Sequence, residues 1–109
     1  MSVLMTFALK GDPAALERYA SEHKEQMASI AEAAKGAGLI AHRFFGSDDG
    51  RVMVVDEWPD HESFEKFFGA QQSNIQAMVE GAGASPEGSP SFWRELESHD
   101  KVGWNELTT

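Results

Sequence analysis

The chain contains no cysteine. That excludes structural disulfides, thiolate nucleophiles and cysteine–zinc centres, and it fits a reducing compartment. No apolar run approaches the roughly 18 residues that span a bilayer. The start, Met1-Ser2-Val3-Leu4-Met5-Thr6, lacks a basic region ahead of an apolar core, so no signal peptide is expected and the location is read as cytoplasmic. Positive charge is scarce: 9 Lys and Arg stand against 18 Asp and Glu, for a net charge of −9. Such a surface repels phosphate backbones and anionic headgroups, so neither nucleic acid nor membrane is an expected partner. There is no glycine-rich phosphate loop, no His-Glu-x-x-His, no calcium loop and no serine in a nucleophile elbow. No cofactor is expected on these grounds.

What is present is enough for one domain. The 109 residues are 41% hydrophobic, which supports a single modest core over residues 1–109. Val3 to Leu9 is apolar on both sides, as in a strand covered on two faces. Asp12 and Pro13 suit an N-cap and a first helical position. From about Pro13 to Lys35, Leu16, Tyr19, Ala20, His23, Met27, Ile30, Ala31 and Ala34 form one apolar stripe, which predicts a single long helix ended by Gly36 and Gly38. Leu39–Gly46 and Arg51–Trp58 read as strands joined through Ser47-Asp48-Asp49-Gly50. A tight turn at Asp49-Gly50 would set Arg43 opposite Asp56 and Ala41 opposite Trp58. Asp60 is placed to cap a helix that buries Phe64, Phe67 and Phe68. Gly69 interrupts it, and a second segment runs from about Gln71 to Glu80. Gly81 to Pro90 reads as a loop and Phe92 to His99 as the last strand. The tail, Asp100 to Thr109, carries Val102 and Trp104 and is expected to pack on something, such as a partner subunit.

The order strand–helix–strand–strand–helix–strand predicts an α+β domain: a four-stranded antiparallel sheet with both helices on one face. The strands are apolar on both sides, so the other face needs a cover. A second copy of the chain supplies one, which predicts a homodimer.

The run Val54-Val55-Asp56-Glu57-Trp58-Pro59-Asp60 follows a hairpin and leads into a helix beginning His61-Glu62-Ser63-Phe64. It resembles the antibiotic biosynthesis monooxygenase-like branch of the dimeric α+β barrel superfamily, over roughly residues 3–99. The resemblance implies a dimer of ferredoxin-like βαββαβ subunits with a pocket between sheet and helices. Members of that branch include cofactor-independent monooxygenases of aromatic polyketides and haem-degrading enzymes. The haem-degrading members use an Asn on the first strand, a Trp at the end of the third and a His on the second helix. Here only Trp58 is present: Val3 to Phe7 holds no Asn and Ser63 to Val79 holds no His. The third-strand Asn of the polyketide oxygenases is not evident either.

Four side chains offer chemistry. Trp58 either forms an aromatic wall for a flat ligand or fills the junction between sheet and second helix. His42, with Ile40 and Phe44 on its face, is either a general base toward an acidic phenol or a hydrogen-bonded histidine of core or interface. His23, on the apolar stripe, is either a proton shuttle or a buried polar contact, and it could share a cavity with His42. Arg43 is either an ion-pair partner of Asp56 or an anchor for a ligand carboxylate. Asp56 and Glu57 alternate across their strand and so form no catalytic dyad. The expected function is a cofactor-independent monooxygenase acting on an aromatic or quinol-type small molecule. Trp58, Phe44, Phe67 and Phe68 would form its wall, His42 or His23 its base and Arg43 its polar anchor. The alternatives are a non-catalytic dimer that binds a small apolar ligand, and a haem-binding protein with an atypical ligand such as His23, His42 or His61.

Overall fold

A computed structural model describes residues 2–103. Strand β1 (Val3–Lys10) is followed by helices α1 (Pro13–Glu22) and α2 (Lys24–Gly36). Then come strands β2 (Ala41–Gly46) and β3 (Arg51–Trp58), helix α3 (His61–Gly81), and the short strands β4 (Ser85–Pro86) and β5 (Ser91–Trp93). The sheet is antiparallel, in the order β2-β3-β1, and β4 and β5 share the far edge of β1. The α+β architecture with helices on one face is therefore as the sequence predicts. The sheet has five strands rather than four, because the last strand is two short pieces. β4 pairs with Leu9 and Lys10, and β5 pairs with Leu4 to Thr6. β4 lies within the stretch read as a loop, and β5 stops well short of His99.

Both caps form as their chemistry dictates. The Asp12 carboxylate accepts from the Ala14 N–H at 3.1 Å, and that of Asp60 accepts from the Ser63 N–H at 2.7 Å. The bond from the Ser63 backbone holds the Asp60 carboxyl below its ordinary pKa. The predicted single helix from Pro13 to Lys35 is instead two, with the break at His23 (φ −129°, ψ 46°). There the imidazole Nδ1 lies 2.9 Å from the Tyr19 carbonyl, and its ring stacks on Tyr19 at 3.9 Å. The Tyr19 carbonyl also keeps the His23 N–H at 2.9 Å, so the bend coincides with a side chain inserted beside that ladder bond. No Gly or Pro marks the site, so periodicity alone ran through it. The opposite error occurs at Gly69, where α3 continues unbroken because the position is exposed and packs on nothing.

One sheet face packs on the helices through Met5, Leu9, Val52 and Trp58. The core has two parts. Leu9, Leu16, Val52, Met78 and Val79 fill one end. Met5, Ala34, Trp58, Phe64 and Phe67 fill the other. Phe7, Ile30, Val54 and Ile75 lie against both. The opposite sheet face carries Leu4, Ala8, Met53, Val55, Phe45 and Trp93, and no helix among the described residues covers it. Phe45 is 53% exposed and Trp93 55%. Trp93 is oriented by its indole N–H, which donates to the Thr6 hydroxyl at 2.8 Å. In the tail Val102 is 93% exposed. Trp104 lies outside the described residues. No helix among the described residues is long and apolar enough to cross a membrane.

Candidate active site

The β2–β3 hairpin decides what the site contains. Ser47 pairs with Arg51 through its N–H and the Arg51 carbonyl at 2.9 Å, which leaves Asp48, Asp49 and Gly50 as a three-residue loop. Gly50 has φ +82°, the left-handed conformation that closes such a loop. The tight two-residue turn expected at Asp49-Gly50 would have given a register one residue different. The observed pairs are His42 with Asp56, Arg43 with Val55 and Ala41 with Glu57. A slip of one residue carries every side chain to the other face of the sheet. Arg43 is thus on the outer face, away from the helices, and the predicted Arg43–Asp56 pairing is replaced by His42–Asp56.

On the helix side, His42 Nδ1 lies 2.6 Å from Asp56 Oδ1. Two residues along β3, and so on the same face, Trp58 reaches back. Its indole N–H donates to Asp56 Oδ2 at 3.1 Å. Asp56 is only 5% exposed and Trp58 is fully buried. An ionised carboxylate accepts only, so a neutral His42 donates from Nδ1, and Nε2 is then the nitrogen left to accept. The His42 side chain is 34% exposed.

His42 and Asp56 border a cavity of about 90 Å³ between the sheet and α2 and α3. Its lining includes Met27, Ile30, Phe44, Val54, Phe67 and Phe68. Among the described residues that line it, His42 and Asp56 are the polar ones. The cavity opens where the two halves of the core meet. It is an apolar site with one convergent polar pair, the usual make-up of a small-molecule pocket.

Of the residues singled out in the sequence, His42, Phe44, Phe67 and Phe68 come together around this cavity. Three do not. Trp58 sits behind it, packed against Phe64 and Phe67 with ring centroids at 5.8 and 5.4 Å, so it fills the junction rather than forming the wall. His23 is at the α1–α2 break, exposed and stacked on Tyr19, so the two histidines do not share a cavity. Arg43 is on the far side of the sheet. Asp56 was missed as a site residue. Its signal was present in an acid between Val54 and Trp58 on the helix-facing side of a strand, opposite a histidine once the loop is counted as three residues.

No family model matches the chain, and no curated protein matches it in sequence. Solved structures do match in fold. A dimeric ferredoxin-like protein from an uncultured marine organism is 13% identical, with a TM-score of 0.62 over 94% of this chain and 95% of that one. SnoaB, a cofactor-independent oxygenase from Streptomyces nogalater, is 16% identical, with a TM-score of 0.60 over 92% of this chain and 98% of its own. An antibiotic biosynthesis monooxygenase is 11% identical, with a TM-score of 0.57 over 88% of this chain and 99% of that one. At these identities the likeness is one of fold: the chain has the ferredoxin-like fold of the dimeric, antibiotic biosynthesis monooxygenase-like proteins.

Proposed function

We propose that the chain is a cofactor-independent monooxygenase of an aromatic or quinol-type small molecule, with His42 as its base. The observation that carries this reading is the His42–Asp56 pair set in the wall of an otherwise apolar cavity. Asp56 holds the imidazole in one tautomer, and Nε2 takes a hydroxyl proton from the substrate. The electron-rich anion then reduces O₂ itself. For a hydroquinone, one oxygen atom bonds to a ring carbon and the other leaves as water. The ring ends as a hydroxyquinone, and all four electrons come from the substrate, so no external reductant enters. The apolar lining keeps water from the reactive anion.

Oxygen uptake with hydroquinone, naphthohydroquinone and anthrone tests this. His42→Ala is expected to lower the rate by roughly 10²- to 10⁴-fold, the usual share of a general base. His23→Ala, outside the cavity, is expected to leave it unchanged. Uptake unaffected by His42→Ala would remove His42 as the base. Ligand-dependent stabilisation without any uptake would make the chain a binding protein instead.

The uncovered sheet face supports a homodimer as the working form. Phe45 and Trp93 stand exposed among Leu4, Met53 and Val55, and an apolar face of this kind is buried by a partner in stable proteins. Sedimentation is expected to give twice the 12.0 kDa chain mass. Phe45→Glu, which places a charge on that face at the edge strand β2, is expected to give the single-chain mass. A monomeric wild type would refute the assignment.

A further inference from the structure

A second, larger hollow of about 310 Å³ lies outside the first, between the start of α1 and the end of β2. It is lined by Pro13, Leu16, Glu17, Gly46 and Asp48, among others. Gly46 matters to its shape: a Cβ there would stand 2.6 Å from Pro13 Cβ, so the glycine lets α1 approach the strand. Among the described residues, Phe44 alone borders both hollows. Its ring meets the His42 imidazole edge-on, with centroids 5.0 Å apart at 86°. The residue common to the two spaces therefore stands directly beside the proposed base.

We infer that Phe44 is the residue that sets substrate size, confining the wild-type site to a single aromatic ring. The inference rests on the site reading given under Proposed function. At about 90 Å³ the inner cavity is smaller than the roughly 150 Å³ of an apolar cavity that holds benzene. A single ring is the size that suits it, with Met27 and Met78, flexible side chains of its lining, yielding to make room. A fused second ring placed with its hydroxyl on His42 runs into Phe44. Beyond Phe44 the outer hollow is open to it. Among the described residues that hollow is bordered by Glu17 and Asp48 and by no Lys or Arg, so a substituent reaching it is neutral or cationic rather than a carboxylate.

The test compares hydroquinone with 1,4-naphthohydroquinone on wild type, Phe44→Leu and Phe44→Ala, reading kcat/KM from oxygen uptake and Kd from calorimetry under anaerobic conditions. Wild type is expected to prefer the single ring. Phe44→Leu and Phe44→Ala are expected to move the ratio toward the fused substrate by about 10-fold or more, the scale on which pocket volume discriminates. Phe44→Leu retains most of the apolar volume and keeps the test available if the alanine variant does not fold. A ratio that stays constant across the three proteins overturns this role of Phe44 while leaving His42 in place. A wild type that binds neither ring overturns the site reading and this inference with it.

Discussion

Trp58→Ala is expected to leave the chain largely unfolded. The indole is fully buried against Phe64 and Phe67. Removing such a ring costs about 3–5 kcal/mol in lost burial and cavity formation. The same change strips Asp56, only 5% exposed, of one of its two donors, which adds about 1–3 kcal/mol. Small domains are stable by only about 5–15 kcal/mol in all. With melting temperatures falling roughly 4–8 °C per kcal/mol in a chain of this size, circular dichroism should show no cooperative transition above room temperature. Trp58→Phe keeps much of the volume and loses only the donor, so it is expected to fold and melt several degrees lower. A Trp58→Ala protein that melts near wild type would contradict the placement of this side chain in the core.

Asp56→Asn is expected to separate activity from folding. The asparagine has the shape of the aspartate but only one acceptor oxygen. Trp58 Nε1 can do nothing but donate and is wholly buried, so it claims that oxygen. The amide NH₂ then faces His42 Nδ1, which has to accept. Its proton moves to Nε2, and the nitrogen that would take the substrate proton is blocked. A rate loss of roughly 10²- to 10⁴-fold follows, of the size that loss of the base itself causes. Substrate affinity measured without oxygen should change little, and the melting temperature should drop by far less than for Trp58→Ala. Asp56→Ala, which strands both donors, is expected to lose stability and activity together. Full activity in Asp56→Asn would show that His42 needs no orienting carboxylate. In the proposed mechanism Asp56 is a positioning residue: it holds His42 through Nδ1, and His42 takes the proton.

Much of the architecture was legible because it is written in short-range chemistry. Asp12 and Asp60 can cap only the residues just after them, so both helix starts follow from a few letters. The two-sided apolar strands state that the sheet needs cover on both faces, and the structure leaves the outer face, with Phe45 and Trp93, bare. The aromatic run Phe64, Phe67, Phe68 turns toward the sheet as its spacing requires.

What tertiary structure alone decided is which residues meet. The difference between a two- and a three-residue loop at Asp48-Asp49-Gly50 is invisible in the strand pattern, yet it exchanges Arg43 for His42 as the neighbour of Asp56. The reason is geometric: side chains alternate with a period of two, so one extra loop residue reverses both faces of β2 at once. His23 left the site because the helix that was to carry it inward breaks at that residue. Trp58 went from wall to core because α3, arriving from the far end of the hairpin, laid Phe64 and Phe67 over it. Local rules named the strands, the caps and the uncovered face. Only the packed register placed a histidine on a buried carboxylate beside an apolar cavity.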